Sequence, residues 1–250
     1  MPGGDGHPDH GTTYGMSPRH AISRDWIDRL SDGPAAVGYD IATTAKGTSN
    51  PSSATVMQRD GGLAIARLIV VWKTPDPEVA KAVLGCVFED LEAAGVKPRR
   101  FVIDASSERY YAANVRTVFQ RRCPVELVGG NQKLAFRGEE LDAKTLLGNM
   151  YAAGLEDGLI LLPAGEWIEL DHRLVKRDGG RFVTDLGPNG EHGDTFDSGK
   201  LAYWGLQSGG TVRANAAAVG TFYQPGETRR PGLIGPIGRI VGRPQNQISF

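Results

Sequence analysis

Two aspartates stand where their neighbours argue against a charge. Asp40 interrupts the apolar segment "AVGYDIA", and Asp104 closes the segment "RFVIDAS". A carboxylate in a core strand is costly unless it is paired or bound to a cation. A third acidic group lies in "EHGDTFDSGKLAYWG", where His192, Asp194 and Asp197 precede an apolar helical pattern. Asp194 and Asp197 are three apart and share one helical face. Both fall in the first turn, where the helix dipole favours negative charge. Each piece alone has an ordinary alternative. Asp104 precedes Ser106 and Ser107 at a helix start, and Asp194 is well placed as a helix cap. Together, two strand-borne acids and a helix-borne pair make a hard-oxygen pocket suited to Mg²⁺ or Mn²⁺. Two such ions ~3.5–4 Å apart would clamp a phosphate between an activated water and a leaving oxygen.

The elements that must hold these acids can be followed along the chain. "AAVGYDIAT" predicts a buried strand from Ala35. The polar loop "TAKGTSNPSS" follows, then two strands joined at Asp60-Gly61-Gly62, a good hairpin turn. A helix is expected over "TPDPEVAKAVLGCVFEDLEAAGV", capped by Thr74 or Asp76, with Pro77 in its first turn and Gly95 at its end. Its inner stripe reads Val79, Val83, Cys86, Val87 and Leu91. The strand ending at Asp104 is followed by a helix capped by Ser106 or Ser107, a fifth strand at "PVELVGG", and a helix over "EELDAKTLLGNMYAAGLEDG". Strand-like "LILLP" leads to a short helix at "EWIELDHR", a hairpin through Asp178-Gly179-Gly180, and a last helix at "GDTFDSGKLAYWGL". A meander of three strands followed by alternating helices and strands predicts a mixed α/β sheet. Its order is that of the ribonuclease H-like fold, flanked by helices and extended by a late auxiliary hairpin.

Composition sets the outer limits. The chain has 250 residues, 40% of them hydrophobic and 23% charged, which suits a folded core and excludes a disordered acidic or basic tail protein. The 34 glycines and 15 prolines crowd toward both ends, so the folded body is expected at 34–207, after a flexible leader at 1–33 and before a Gly/Pro-rich tail at 208–250. The leader has no apolar stretch of the signal-peptide kind. No apolar run approaches the ~20 residues that cross a bilayer. Cys86 and Cys123 are the only cysteines and read as reduced thiols, with no CxxC pair for zinc. A formal net charge of −1 means that any nucleic-acid surface must be local.

The segments "GYDIATTAKGTSNPSSATVMQRDG", "RFVIDASS" and "EHGDTFDSGKLA" resemble the nuclease domain of the large terminase subunit of Mu-like and related tailed phages. The resemblance runs from about Ala35 to Trp204. It implies a two-metal endodeoxyribonuclease that cuts concatemeric viral DNA during packaging. Asp40, Asp104 and Asp194 are then its catalytic acids, and Asp197 is an adjacent metal ligand, with Asp194 preferred over Asp197. It implies double-stranded DNA as substrate. The implied partners are a terminase ATPase domain, a small terminase subunit and a portal, in the cytoplasm of a host cell, encoded by a phage or prophage. A full-length large subunit also carries an ATPase motor, yet no G-x-x-x-x-G-K-[ST] loop occurs here, so the chain is expected to be a nuclease domain alone. Lys46, Lys133, Arg173, Lys176, Arg177 and Arg181 are the expected DNA contacts, since Lys and Arg supply most phosphate contacts. A transposase or resolvase of the same fold, or a catalytically silent docking module, are the competing readings. The four tryptophans fit core packing better than base stacking, and "GGNQKL" reads as a turn.

Overall fold

The computed structural model describes residues 25–42, 50–136, 139–187 and 191–206. Lys46, most of the expected leader and the tail lie outside them. A 3₁₀ turn at Ile27–Arg29 precedes β1, Ala35–Asp40. β2 (Ser52–Asp60) and β3 (Leu63–Trp72) form the expected hairpin around Gly61 and Gly62. Then follow α1 (Pro77–Ala93), β4 (Arg100–Asp104), α2 (Arg109–Phe119), β5 (Val125–Val128), β6 (Lys133–Phe136) and β7 (Glu139–Asp142). The chain continues as α3 (Ala143–Glu156), β8 (Ile160–Leu161), α4 (Glu166–Arg173), β9 (Val175–Asp178), β10 (Arg181–Thr184) and α5 (Asp194–Gly205).

The main sheet has six strands in the order β5-β4-β1-β2-β3-β8. β1 is antiparallel to β2 and parallel to β4, and β4 is parallel to β5. This is a ribonuclease H-like mixed sheet, with β8 added in parallel to β3. Strand alternation divides the core into two layers. Val37, Tyr39, Phe101 and Ile103 face α1 and α2, with Ala54 and Val56 beside them. Ala36, Val102 and Met57 face α3 and α5. Trp26, in the segment expected to be a leader, is buried in the first of these layers. Trp72 and Trp204 are fully buried and Trp167 is half-buried. Cys86 and Cys123 are free thiols.

Several local expectations are corrected. The segment Glu139–Asp142 is a strand, not the first turn of a helix, because it pairs antiparallel with Lys133–Phe136. α3 starts only after it, with the Asp142 carboxylate accepting from the Thr145 amide at 2.8 Å. α2 is not capped by Ser106 or Ser107. Its N-cap is Glu108, which makes no side-chain cap bond. Ser106 is engaged elsewhere, accepting from the Gly130 amide at 2.7 Å. α1 is capped by Asp76, whose carboxylate accepts from the Glu78 amide at 2.8 Å. Its buried stripe is Ala80, Val83, Leu84, Val87, Phe88 and Leu91, rotated from the expected one, so Val79 and Cys86 are only half-buried. Among the described residues no helix is long and apolar enough to cross a membrane.

Candidate active site

The register of the central strands builds the site. Tyr39 stands beside Ile103 across the parallel β1–β4 pair, so Asp40 and Asp104 each follow by one residue. They end neighbouring strands ~4.8 Å apart. By alternation both leave the Tyr39 and Ile103 layer and face the side covered by α5. The carboxyl ends of parallel strands are where open α/β sheets place their ligands.

α5 lies closer to the sheet than an ordinary helix could. A Cβ on Gly38 would stand 2.1 Å from the Ser198 carbonyl oxygen and 2.3 Å from the Ala202 amide nitrogen. Only a glycine at this place in β1 lets the helix backbone settle beside Asp40. The helix is then pinned along its length. Ser198 Oγ hydrogen-bonds with Ser53 Oγ and Thr55 Oγ1, both at 2.8 Å. The Trp204 indole donates to Glu126 Oε1 at 3.1 Å, and Arg59 donates to the Leu206 carbonyl at 3.1 Å.

The start of α5 is held by Asp171, a residue that motif reading passes over. Its carboxylate, carried on α4, accepts from the Gly193 and Thr195 amides at 2.8 Å each and from the Thr195 hydroxyl. An acidic acceptor at a helix N-terminus is worth about 1–2 kcal/mol. Asp194 is therefore not the cap of its own helix. Gly193 holds that position, with a left-handed φ of 76° and no side-chain bond. A Cβ there would also come within 2.5 Å of Val175 Cγ2, so the β9–β10 hairpin packs directly on this turn. His192 is half-buried just before it. The sequence signal for Asp171 was an acid three residues after Ile168, on the inner face of a short amphipathic helix. His172 beside it is also built in. Its Nδ1 lies 2.9 Å from the Ile168 carbonyl and its Nε2 3.1 Å from the Tyr151 hydroxyl, and burial lowers its pKa.

The aspartates of the site act on one another's ionisation. Burial raises the Asp40 pKa well above the ordinary carboxylate value, and Asp197, then Asp104, then Asp194 raise it further by repulsion. Lys200 opposes them. Asp194 is 4% exposed, and its pKa is pushed up to about 8, first by burial and then by Asp171 and Asp197. Asp197 is half-buried, whereas Asp194 is buried. Burial disfavours the Lys200 ammonium, yet Asp197, by charge and hydrogen bond, and then Asp40 and Asp104 raise its pKa on balance. Lys200 donates to Asp197 Oδ1, three residues before it on α5.

A cleft of about 580 Å³ opens beside this cluster. Asp104, Asp197 and Lys200 line it, with Ser106, Arg109, Lys144 and the turn Gly129–Gln132 around them. The Ser106 amide donates to Asp104 Oδ1 at 2.7 Å and so orients that carboxylate. Arg109 and Lys144, at the starts of α2 and α3, are the cleft's exposed bases. They were absent from the expected set because each reads as an ordinary helix-surface charge.

The described bases among those expected to contact DNA lie elsewhere. Lys133 is exposed on β6, and Arg181 is exposed at the start of β10. Arg173 pairs with Glu169 and Lys176 with Asp185. Arg177 stacks over Phe182 at 5.4 Å and donates to Asn149 Oδ1. None of these lines the cleft.

The donor chemistry fits a hard divalent cation. The candidate ligands are carboxylates that repel one another, and Asp40 gains from any added positive charge. Among the described residues no three carboxylates, imidazoles or thiols close on a common point. The cation standing among the acids is Lys200.

Several solved structures are similar to the chain. The nuclease domain of human cytomegalovirus terminase matches with a TM-score of 0.50 at 10% identity, covering 79% of this chain and 95% of that one. A mutant nuclease domain of the large terminase subunit gp2 of bacterial virus Sf6, with manganese and β-thujaplicinol, matches with a TM-score of 0.48 at 12% identity, covering 72% and 97%. The large terminase of a thermophilic bacteriophage matches with a TM-score of 0.47 at 16% identity over 69% of this chain, which spans only 40% of that longer protein. No family model and no curated protein matches the sequence. The chain therefore shares its fold with the cytomegalovirus terminase nuclease domain.

Proposed function

We propose that this chain is a metal-dependent endodeoxyribonuclease that cuts concatemeric viral DNA during genome packaging, and that its folded body reaches back before residue 34 to include Trp26. One observation carries the reading. Asp40 and Asp104 end adjacent parallel strands, and an acid-bearing turn of α5 closes over them because Gly38 lets it approach. The fold shared with a terminase nuclease domain supports the assignment.

Asp40, Asp104 and Asp197 would hold Mg²⁺ or Mn²⁺, two ions in the full site, with Asp194 buried at the start of the same helix. Asp197 is favoured over Asp194 as the ligand that faces substrate because it lines the cleft and Asp194 does not. Bound there, such ions would activate a water and neutralise charge on the scissile phosphate. The chain's own residues do the rest. Ser106 fixes the direction of the Asp104 carboxylate. Arg109 and Lys144 bind backbone phosphates of the strand lying in the cleft, which positions it without reading bases. Lys133 and the bases of the β9–β10 hairpin offer a second, outer phosphate-binding edge. The substrate is double-stranded DNA in the host cytoplasm. A motor ATPase, a small subunit and a portal are the proposed partners.

The test is cleavage of supercoiled plasmid. Nicking and linearisation are expected with Mn²⁺ or Mg²⁺ and none with EDTA. Asp40→Asn should slow cutting by roughly a hundred-fold or more, since metal clamping supplies several kcal/mol and each 1.4 kcal/mol is ten-fold. Asp197→Asn should fall as far, and Asp194→Asn less. Cutting that persists in EDTA, or three variants that cut like the parent, would overturn the reading.

A further inference from the structure

We infer that Asn131 and Gln132 contact base edges of the DNA beside the cut, so that cleavage carries a sequence preference at a fixed distance from the scissile phosphate. The inference rests on the nuclease reading above and names what its cleft recognises besides the DNA backbone.

Three observations carry it. First, the turn Gly129–Gln132 stands next to the chemistry. Val128 lies beside Asp104 across the parallel β4–β5 pair, and the turn begins at the following residue. It lines the same cleft as Asp104 and Asp197. Paired strands lie ~4.8 Å apart and a chain spans at most ~3.6 Å per residue. At about 3.4 Å per nucleotide, the two side chains reach positions within roughly four nucleotides of a phosphate held at Asp104.

Second, the backbone of the turn is clamped on both sides. The Gly130 amide donates to Ser106 Oγ at 2.7 Å, and the Gln132 amide donates to the Gly129 carbonyl at 2.8 Å. The Gly130 and Gln132 carbonyls accept from the Lys144 and Ala143 amides, at 3.2 and 2.7 Å. Ser106 also orients Asp104 through its own amide. One residue thus ties the metal ligand to the turn and sets a rigid spacing between them.

Third, the side chains are left over. Asn131 and Gln132 are exposed, and neither carboxamide hydrogen-bonds to a described residue. Asn149, by contrast, accepts from Arg177. A carboxamide offers a donor and an acceptor together, which matches the edge of a base. A phosphate presents acceptors only and would leave the carboxamide oxygen unused. The cleft already holds Arg109 and Lys144 for phosphates. Cations therefore hold the strand, and the carboxamides bias where it is cut.

The experiment gives the full chain a duplex library of random sequence with Mn²⁺ and maps the cut ends by sequencing. Base frequencies are counted per cut, so the profile does not depend on rate. The parent should favour particular bases roughly five-fold or more at one or two positions within about four nucleotides of the cut, the size of one good base contact. Asn131→Ala and Gln132→Ala should each weaken that preference, and the double variant should flatten it. Ser106→Ala frees the turn but keeps the amide that orients Asp104, so the preference should spread over neighbouring positions. Arg109→Ala should slow cutting at every sequence and leave the profile as it is. Melting curves check that the variants fold, and the single substitutions decide the matter if the double variant does not. A flat profile in the parent, or a parental profile kept by the alanine variants, overturns the inference and leaves the nuclease reading standing. Absence of metal-dependent cutting by the parent overturns both.

Discussion

The two faces of the central sheet are built on opposite plans. On the side of α1 and α2 the layer is aromatic. Tyr39 stacks on Trp72 at 5.5 Å, and Phe101 meets Phe88 at 5.2 Å and Phe119 at 5.7 Å. On the side of α5 the sheet offers Ala36 and Gly38, with Ser53 and Thr55 buried beside them. Large rings keep a helix at a distance and contribute burial. Small residues bring a helix backbone down to the strands and leave hydroxyls to fix its register. β1 belongs to both plans at once, with Tyr39 turned one way and Gly38 and Asp40 the other. Stability and chemistry thus occupy alternate residues of one strand.

That division can be broken by substitution. Phe101→Ala should have the largest effect, about 3–5 kcal/mol of lost stability from a buried aromatic. Cleavage per folded molecule should stay near that of the parent. Denaturant unfolding and cleavage on the same preparation check this, and a stable variant that no longer cuts would break the division. Gly38→Ala comes next. The added carbon meets backbone atoms of α5, so the helix must shift, at a cost of about 1–3 kcal/mol for overpacking. Cutting should suffer more than stability, because a displacement of about 1 Å costs on the order of a hundred-fold in rate. Equal loss in both would mean that α5 does not need its close seat.

A third effect concerns pH and sharpens the same contrast. Asp194 has a folded pKa of about 8 against an ordinary value of 3.8. Between those values the unfolded chain has released its proton while the folded chain retains it. Stability therefore falls as pH rises through that window. Asp194→Asn should flatten this slope and melt higher than the parent near pH 8 in metal-free buffer. A parallel pH series of melting curves decides it, and identical slopes would remove Asp194 from the buried set.

Much of this arrangement was legible in the residues. Asp40 and Asp104 stood out as charges inside apolar strands, and the Asp-Gly-Gly turns announced both hairpins. β6 and β7 escaped because each is only four residues long and the acidic "EELD" reads naturally as a helix start. Asp171 escaped because its meaning lies in two amides more than twenty residues away in sequence. Gly38 escaped for a similar reason. A glycine in a strand shows where something comes close, but only the fold shows that the visitor is the backbone of α5. Arg109 and Lys144 look like surface charges until the ends of α2 and α3 are brought to one cleft.

The bonds from Asp171 to the start of α5 also bear on how far this domain could be trimmed. β8 lies at the edge of the sheet beside β3, and α4 and the separate β9–β10 hairpin pack against α3 and α5, outside strands β1 to β5. A shortened chain that joined α3 straight to α5 would keep β1 to β5 intact. It would also strip the last helix of its carboxylate anchor and of the hairpin wall against Gly193. The appendage is thus a foundation, and a minimal version of this domain has to carry it.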